Sequence, residues 1–182
     1  MAISKEKFQE AKNKALAFYS KCGIVLTDKE KDELEVADFG LSRLDEVGVE
    51  LVMYVNTERC SAKDVVIFPG QICPEHYHPD IEGNAGKEET FRCKFGEMYL
   101  YVEGEPTENP RAVVPEDMKD HFTVWHEVIM KPGDQFLVRP NRKHWFQAGP
   151  EGAIFAEFST KNIDEKDVFT DPNIKRIPDI MD

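Results

Sequence analysis

The stretch from Cys73 to Glu97, CPEHYHPDIEGNAGKEETFRCKFGE, concentrates residue types that bind metal ions and move protons. Along a β-strand successive side chains face opposite ways, so His76 and His78 share one face and Tyr77 takes the other. The same alternation through ETFRCKF sets Glu89 beside Phe91, Cys93 and Phe95 and leaves Thr90, Arg92 and Lys94 opposite. Glu89 is therefore expected on an apolar, inward face. There an uncompensated carboxylate costs several kcal/mol or takes up a proton. A divalent cation held by His76 and His78 would compensate it. His144 follows a proline-containing turn, PGDQFLVRPNRKHWFQAG, with Phe146 on its own face, and is the natural fourth ligand. Three imidazoles and one carboxylate suit Mn, Fe, Co, Ni or Zn, and the donor types do not choose among them. His121 and His126 share neither a strand face nor a helical turn and read as ordinary histidines, His126 with the option of lining a pocket.

These residues need a scaffold. Phe8, Ala11, Ala15, Phe18, Tyr19 and Cys22 recur at helical spacing, and Gly23 follows as a stop, which predicts an amphipathic helix over residues 5–22. From about residue 34 the texture becomes short β-rich runs separated by Gly, Pro and Asn: VGVELVMYV, DVVIF, EMYLYVEG, HFTVWHEVIM, DQFLVRP and AIFAEFST. A mainly β chain with an N-terminal helix, folded as a small barrel or sandwich, is expected. At 182 residues one domain is the default. It divides into a helical arm (1–33), a barrel (34–160) and a charged, proline-containing tail (161–182) that wraps the barrel with at most one short helical turn.

Composition narrows the partners. A net charge of -12 and a pI near 4.9 argue against nucleic acid, whose binding needs a cationic surface. A small neutral ligand fits better. No apolar run approaches the ~18 residues of a membrane span, and the lysine-rich start has no signal-peptide core. Cys22, Cys60, Cys73 and Cys93 form no CxxC pair and read as small core residues, which suits a reducing cytoplasm.

The pattern resembles the cupin family, whose first motif runs Gly, His-x-His, a gap, Glu, six residues and Gly, and whose second places a Pro shortly before a His. Here it spans Gly70, His76, His78, Glu89 and Gly96, then Pro140 and His144. The six-residue spacing selects Glu89 over Glu88. Ten residues separate His78 from Glu89, against three or four in most cupins, and His144 follows Pro140 by four positions where five is usual. The long gap, PDIEGNAGKE, reads as a loop at the barrel mouth or a plain insertion. Over most of its length the chain is similar to the lyxose-type sugar isomerases within the cupins, in HYHP, GKEETF, RPNRKHWFQAG and EFSTKNIDEKDVFTDP. That resemblance implies a cupin barrel, a manganese-dependent isomerase, a homodimer, His76, His78, Glu89 and His144 as ligands, and Lys87 and Glu157 as acid/base residues. Read without it, Lys87 is equally a solvated charge and Glu157 an ordinary strand-end acid.

The expected reaction interconverts D-lyxose and D-xylulose, and D-mannose and D-fructose, by moving a proton between C2 and C1. A divalent ion with two open positions would stabilise the enediolate. Glu157 is the candidate base, since partly desolvated carboxylates can serve as bases at working pH, although alternation leaves open which face it takes. Lys87, two positions before Glu89, is the candidate acid. Tyr77, Gln135, Arg139, Trp145 and Phe146 are candidates for sugar contacts or for packing. Arg139, Arg142 and Lys143 keep a phosphosugar substrate in view, and a cupin dioxygenase or a non-catalytic sugar-binding cupin are the other readings.

Overall fold

A two-residue strand, β1 (Ile3–Ser4), leads into helix α1 (Lys5–Lys21). The helix starts where the Ser4 hydroxyl accepts the Lys7 N–H at 3.2 Å and stops at Cys22, before Gly23 turns the chain at a φ of +72°. Its buried face, Ala11, Ala15 and Tyr19, packs on the outside of the sheet, and the Tyr19 hydroxyl donates to the Asp64 carbonyl at 2.9 Å. The computed structural model describes residues 3–177, 180 and 181. No helix among them is long and apolar enough to cross a membrane.

After a short helix α2 (Asp28–Asp32) the chain is mostly strand: β2 (Glu35–Ala37), β3 (Val49–Asn56), β4 (Ser61–Ile67), β5 (Ile72–Tyr77), β6 (Glu89–Val102), β7 (His126–Met130), β8 (Gln135–Val138), β9 (His144–Ser159) and β10 (Val168–Phe169). A last strand, β11 (Ile180–Met181), pairs in parallel with β1. The main sheet runs β10-β5-β9-β4-β3-β2, with β6 also on β9 and with β7 and β8 on β6. Strand β9 explains the curl. Its first residues pair with β5 and its last seven with β4, while β6 lies along both halves. A strand whose neighbour changes midway bends the sheet around itself and closes the expected all-β, cupin-like barrel. Leu51, Val65, Phe91, Phe146 and Phe155 fill the interior, and a second apolar layer, including Val52, Val66 and Ile154, lies between the sheet and α1.

Several expected strands merge or shorten. ETFRCKF and EMYLYV form the single strand β6, interrupted by irregularities at Cys93/Phe95 and Gly96/Met98. Gly96 has a φ of +70°, and a Cβ there would lie 1.9 Å from the Gly152 carbonyl oxygen, so the motif's closing glycine is a requirement of packing. HFTVWHEVIM is strand only from His126. Its first part ends a 3-10 turn, Glu116–His121, and the Thr123 and Val124 N–H groups then donate to the buried Glu75 carboxylate instead of to a neighbouring strand. All four cysteines are free. Cys73 and Cys93 are buried, but Cys60 is exposed, contrary to the core reading, because it closes the tight β3–β4 turn with Thr57.

Glu50 on β3 is a buried carboxylate on the same face as Val52. Its Oε1 faces the Gln71 amide at 3.4 Å, and its Oε2 has no hydrogen-bond partner among the described residues. Burial pushes its pKa up to about 8, against the opposing pull of Gln71 and Lys14. The folded chain therefore keeps a proton that the unfolded chain releases near pH 4.3. Stability contributed here is complete below that value, falls as pH rises toward 8 and is level beyond. Glu50→Gln is expected to abolish this slope and to stabilise the protein by a few kcal/mol at pH 8 but not at pH 4. Thermal unfolding of both proteins across that range measures it, and parallel curves would reject the assignment.

Candidate active site

The four residues singled out as ligands come together. His76 lies on β5, His78 one residue beyond it, Glu89 at the first position of β6 and His144 at the first position of β9. His76 pairs directly with His144, and the curl of the sheet brings Glu89, whose partner on β9 is Ser159 at the far end, to the same part of the barrel. One donor atom from each of the four lies within 4.8 Å of every other, and all four side chains are buried. Glu89 Oε1 is 2.8 Å from His144 Nε2 and 3.2 Å from His78 Nε2, and Glu89 Oε2 is 2.7 Å from Lys87 Nζ.

The tautomers follow from the outer hydrogen bonds. His76 Nδ1 donates to the Pro74 carbonyl at 2.8 Å, His144 Nδ1 to the Arg142 carbonyl at 3.0 Å, and His78 Nδ1 faces Asp167 Oδ1 at 2.6 Å. With Nδ1–H used outward, the Nε2 atoms of His76 and His144 are free to present a lone pair inward, and His78 does the same once a bound cation displaces its Nε2 proton. His144 Nε2 is buried and makes no hydrogen bond, despite its nearness to Glu89 Oε1. A buried ring nitrogen left without a partner while it faces a carboxylate oxygen is what a shared cation would reconcile. These four groups fit a divalent metal ion.

Electrostatics agree with a site built for positive charge. Burial alone would protonate Glu89, but Lys87 and His78 hold its carboxyl well below the usual range. Burial, reinforced by the neighbouring His144 and His78, pushes the His76 pKa well down. Burial also pulls on His78, yet Glu89 and Asp167 outweigh it and raise its pKa to about 9. Lys87 resists burial because Glu157 and Glu89 flank it, and its pKa lies well above normal.

Lys87 and Glu157 meet beside the cluster. Gly86 makes this possible: a side chain there would put its Cβ 2.2 Å from the His78 carbonyl oxygen, so only glycine lets the 79–88 loop fold back tightly. The Lys87 ammonium contacts Glu89, Glu157 Oε1 at 3.0 Å and Asn162 Oδ1 at 3.2 Å, one acceptor for each N–H. The ambiguous alternation of β9 resolves inward for Glu157, which pairs across the sheet with Lys63 and Phe91, while its sequence neighbours Ala156 and Phe158 take the opposite face. Lys63 Nζ lies 3.1 Å from Glu157 Oε1, so two ammonium groups bracket one carboxylate.

A cavity of about 40 Å³ is lined by His76, Lys63, Lys87, Glu89 and Glu157, with an apolar wall that includes Phe39, Phe91, Phe146 and Phe169. It shares Lys87 and Asp167 with a cavity of about 550 Å³ bounded by the 79–87 loop. Of the five sugar-contact candidates only Phe146 lines the inner cavity. Trp145 is core, stacked on Tyr101 at 4.1 Å with its indole N–H on the Val124 carbonyl. Gln135 is exposed, Tyr77 faces away, and Arg139 pairs with Glu88 at 3.7 Å. His121 sits 3.8 Å from Asp171, and His126 faces the Glu105 carbonyl, both apart from the cluster. Lys63, Asp164, Asp167 and Arg176 escaped the sequence reading although all four line the inner cavity. Lys63 left a signal, since it alternates with the apolar Val65 and Ile67. The tail residues left none.

Residues 25–182 match the model of a family described as D-lyxose isomerase. A D-lyxose ketol-isomerase of Thermofilum sp. (strain ex4484_79) is 57% identical over 179 residues, 98% of this chain and 99% of the relative. A D-lyxose/D-mannose isomerase of Thermosediminibacter oceani is 53% identical over 99% of both chains. The fold matches the crystal structure of Acinetobacter sp. DL28 L-ribose isomerase in complex with L-ribose, with a TM-score of 0.83 at 15% identity over 99% of this chain and 98% of that one. With a family model spanning most of its length and relatives more than half identical from end to end, the chain belongs to the D-lyxose isomerase family.

Proposed function

We propose that this chain is a divalent-metal-dependent aldose–ketose isomerase that interconverts D-lyxose and D-xylulose, with D-mannose and D-fructose as a second pair and manganese as the working ion. Family membership supports the reaction class, and the activities for which the two relatives are named support the sugars. The observation that carries the metal-dependent mechanism is the buried group of His76, His78, Glu89 and His144, linked through Lys87 to Glu157.

His76, His78, Glu89 and His144 hold the ion. When bound, it supplies Lewis acidity toward the two oxygens that exchange carbonyl and hydroxyl character, which acidifies the C2 proton. Glu157 takes that proton and returns it at C1. Lys63 and Lys87 both hold its Oε1, so the base is oriented before substrate arrives. The Lys87 ammonium serves as the acid, placed where oxygen charge develops. The phenyl wall keeps bulk water from the reacting carbons.

A phosphorylated substrate is less well supported. The three cations that would clamp a phosphate are already paired: Arg139 with Glu88 at 3.7 Å, Arg142 with Glu103 at 2.5 Å and Lys143 with Glu75 at 3.2 Å. A homodimer belongs to the same reading. The outward row Val55, Ala62, Phe158, Thr90 and Leu137 crosses five paired strands, with Val55, Phe158 and Leu137 exposed, and is the face a second copy would cover. Equilibrium sedimentation of the native protein reads that directly.

Chelator-stripped protein is expected to lose turnover of D-lyxose, D-mannose and D-xylulose, and to regain it best with Mn²⁺ when divalent ions are restored singly. Chromatography of the sugars measures this. Absence of turnover with every ion would refute the proposal, and full turnover without metal would refute its metal dependence.

A further inference from the structure

The three imidazoles of the cluster are oriented in two different ways. His76 and His144 each donate Nδ1–H to a carbonyl two residues upstream, within their own segments. His78 is oriented by Asp167, 89 residues along the chain and outside the barrel strands. The tail makes this contact as part of a small docked unit. Strand β10 pairs antiparallel with β5, with Val168 opposite Tyr77 and Phe169 opposite His76. The Phe169 ring lies 5.3 Å from the His76 ring, and the Thr170 N–H donates to the Glu75 carbonyl at 3.0 Å. Four consecutive tail residues thus reach His76 on β5, His78 just beyond it and Glu75 before them.

We propose that Asp167 is a positioning residue for the metal centre, and that docking of Asp167–Thr170 and loading of the metal are thermodynamically linked. The proposal rests on the metal reading above. A carboxylate on the outer nitrogen of a ligating histidine fixes the ring and strengthens its inner nitrogen as a donor, and its loss typically weakens metal binding by ~10–100-fold. Linkage makes the effect reciprocal: whatever factor the docked tail adds to metal affinity, bound metal adds to tail docking. The unit is suited to respond, because a two-residue edge strand with Val168 exposed has little of its own to hold it. In the alternative, Asp167 merely satisfies a buried N–H and the tail is a fixed wall, so substitution would alter stability without altering metal affinity.

The test compares Mn²⁺ binding, by competition with a chelating dye, in stripped wild-type protein, Asp167→Ala and Asp167→Asn, with circular dichroism as the check on folding. Hydrogen exchange of residues 168–170 in the wild-type protein with and without Mn²⁺ gives a reading that needs no variant. Asp167→Ala is expected to bind ~10–100-fold more weakly, and Asp167→Asn, which keeps an acceptor oxygen, to recover part of the loss. Saturating Mn²⁺ should slow exchange at 168–170 by a comparable factor. If Asp167→Ala fails to fold, Asp167→Asn and the exchange data decide. Equal affinities with unchanged exchange overturn the linkage while leaving the metal centre standing. Failure of the wild-type protein to bind Mn²⁺ overturns the metal centre and the proposal with it.

Discussion

Glu157→Gln is expected to lower kcat by about 10²–10⁴-fold, the range associated with removing a positioned general base. The amide keeps the shape of the side chain and an acceptor oxygen for Lys63 and Lys87, so the cavity wall should persist. What disappears is the capacity to carry the proton between two carbons. Glu157 is not among the four clustered donors, so metal content should stay at the wild-type level. Initial rates with D-lyxose, run beside metal analysis, separate the two effects. Incorporation of solvent deuterium at C1 of the ketose should fall with the rate. Activity within threefold of wild type would move the base elsewhere.

Glu89→Ala is the change with the widest consequences, because one carboxylate serves two purposes there. Its Oε1 faces His144 and His78, and its Oε2 faces Lys87. Removing it takes away a ligand and also strips the buried Lys87 of its nearest counter-charge, leaving Glu157 at 3.0 Å. Breaking a buried ion pair from one side costs about 3–5 kcal/mol, and at this chain length each kcal/mol corresponds to roughly 2–4 °C in Tm. The variant should therefore lose bound metal and turnover together and melt about 6–20 °C lower. Glu89→Gln should recover part of the thermal loss but little of the metal. Thermal unfolding and elemental analysis of the purified variants measure both. An unchanged Tm with a full complement of metal would show that this carboxylate is not central.

The two expected results differ in how visible their residues are in the chain. Glu89 is legible because of a conflict: a charged residue stands in a row of apolar ones at strand spacing, and a buried cation reconciles it. The same argument applied to SAKDVVI would have found Lys63, which alternates with Val65 and Ile67. Glu157 resists it, since Ile154, Ala156 and Phe158 make the opposite face equally apolar. The outer apolar residues are real, but Ile154 is covered by α1 while Phe158 is left exposed. Trp145 shows the converse error. An aromatic residue beside a ligand looks like a sugar platform, yet its face turns to Tyr101 in the core.

By itself, the sequence determined the elements and their polarity: a capped helix, a run of strands closing as a barrel, and an interior that carries three histidines and a glutamate. Those properties depend on period and residue type within a few neighbours, which a linear chain records directly. The tertiary structure decided which side Glu157 faces, that Lys63 and Lys87 share it, and that Asp167 from the far end of the chain reaches His78. Contacts between segments many tens of residues apart depend on register and on how the sheet curls, and no local pattern encodes either.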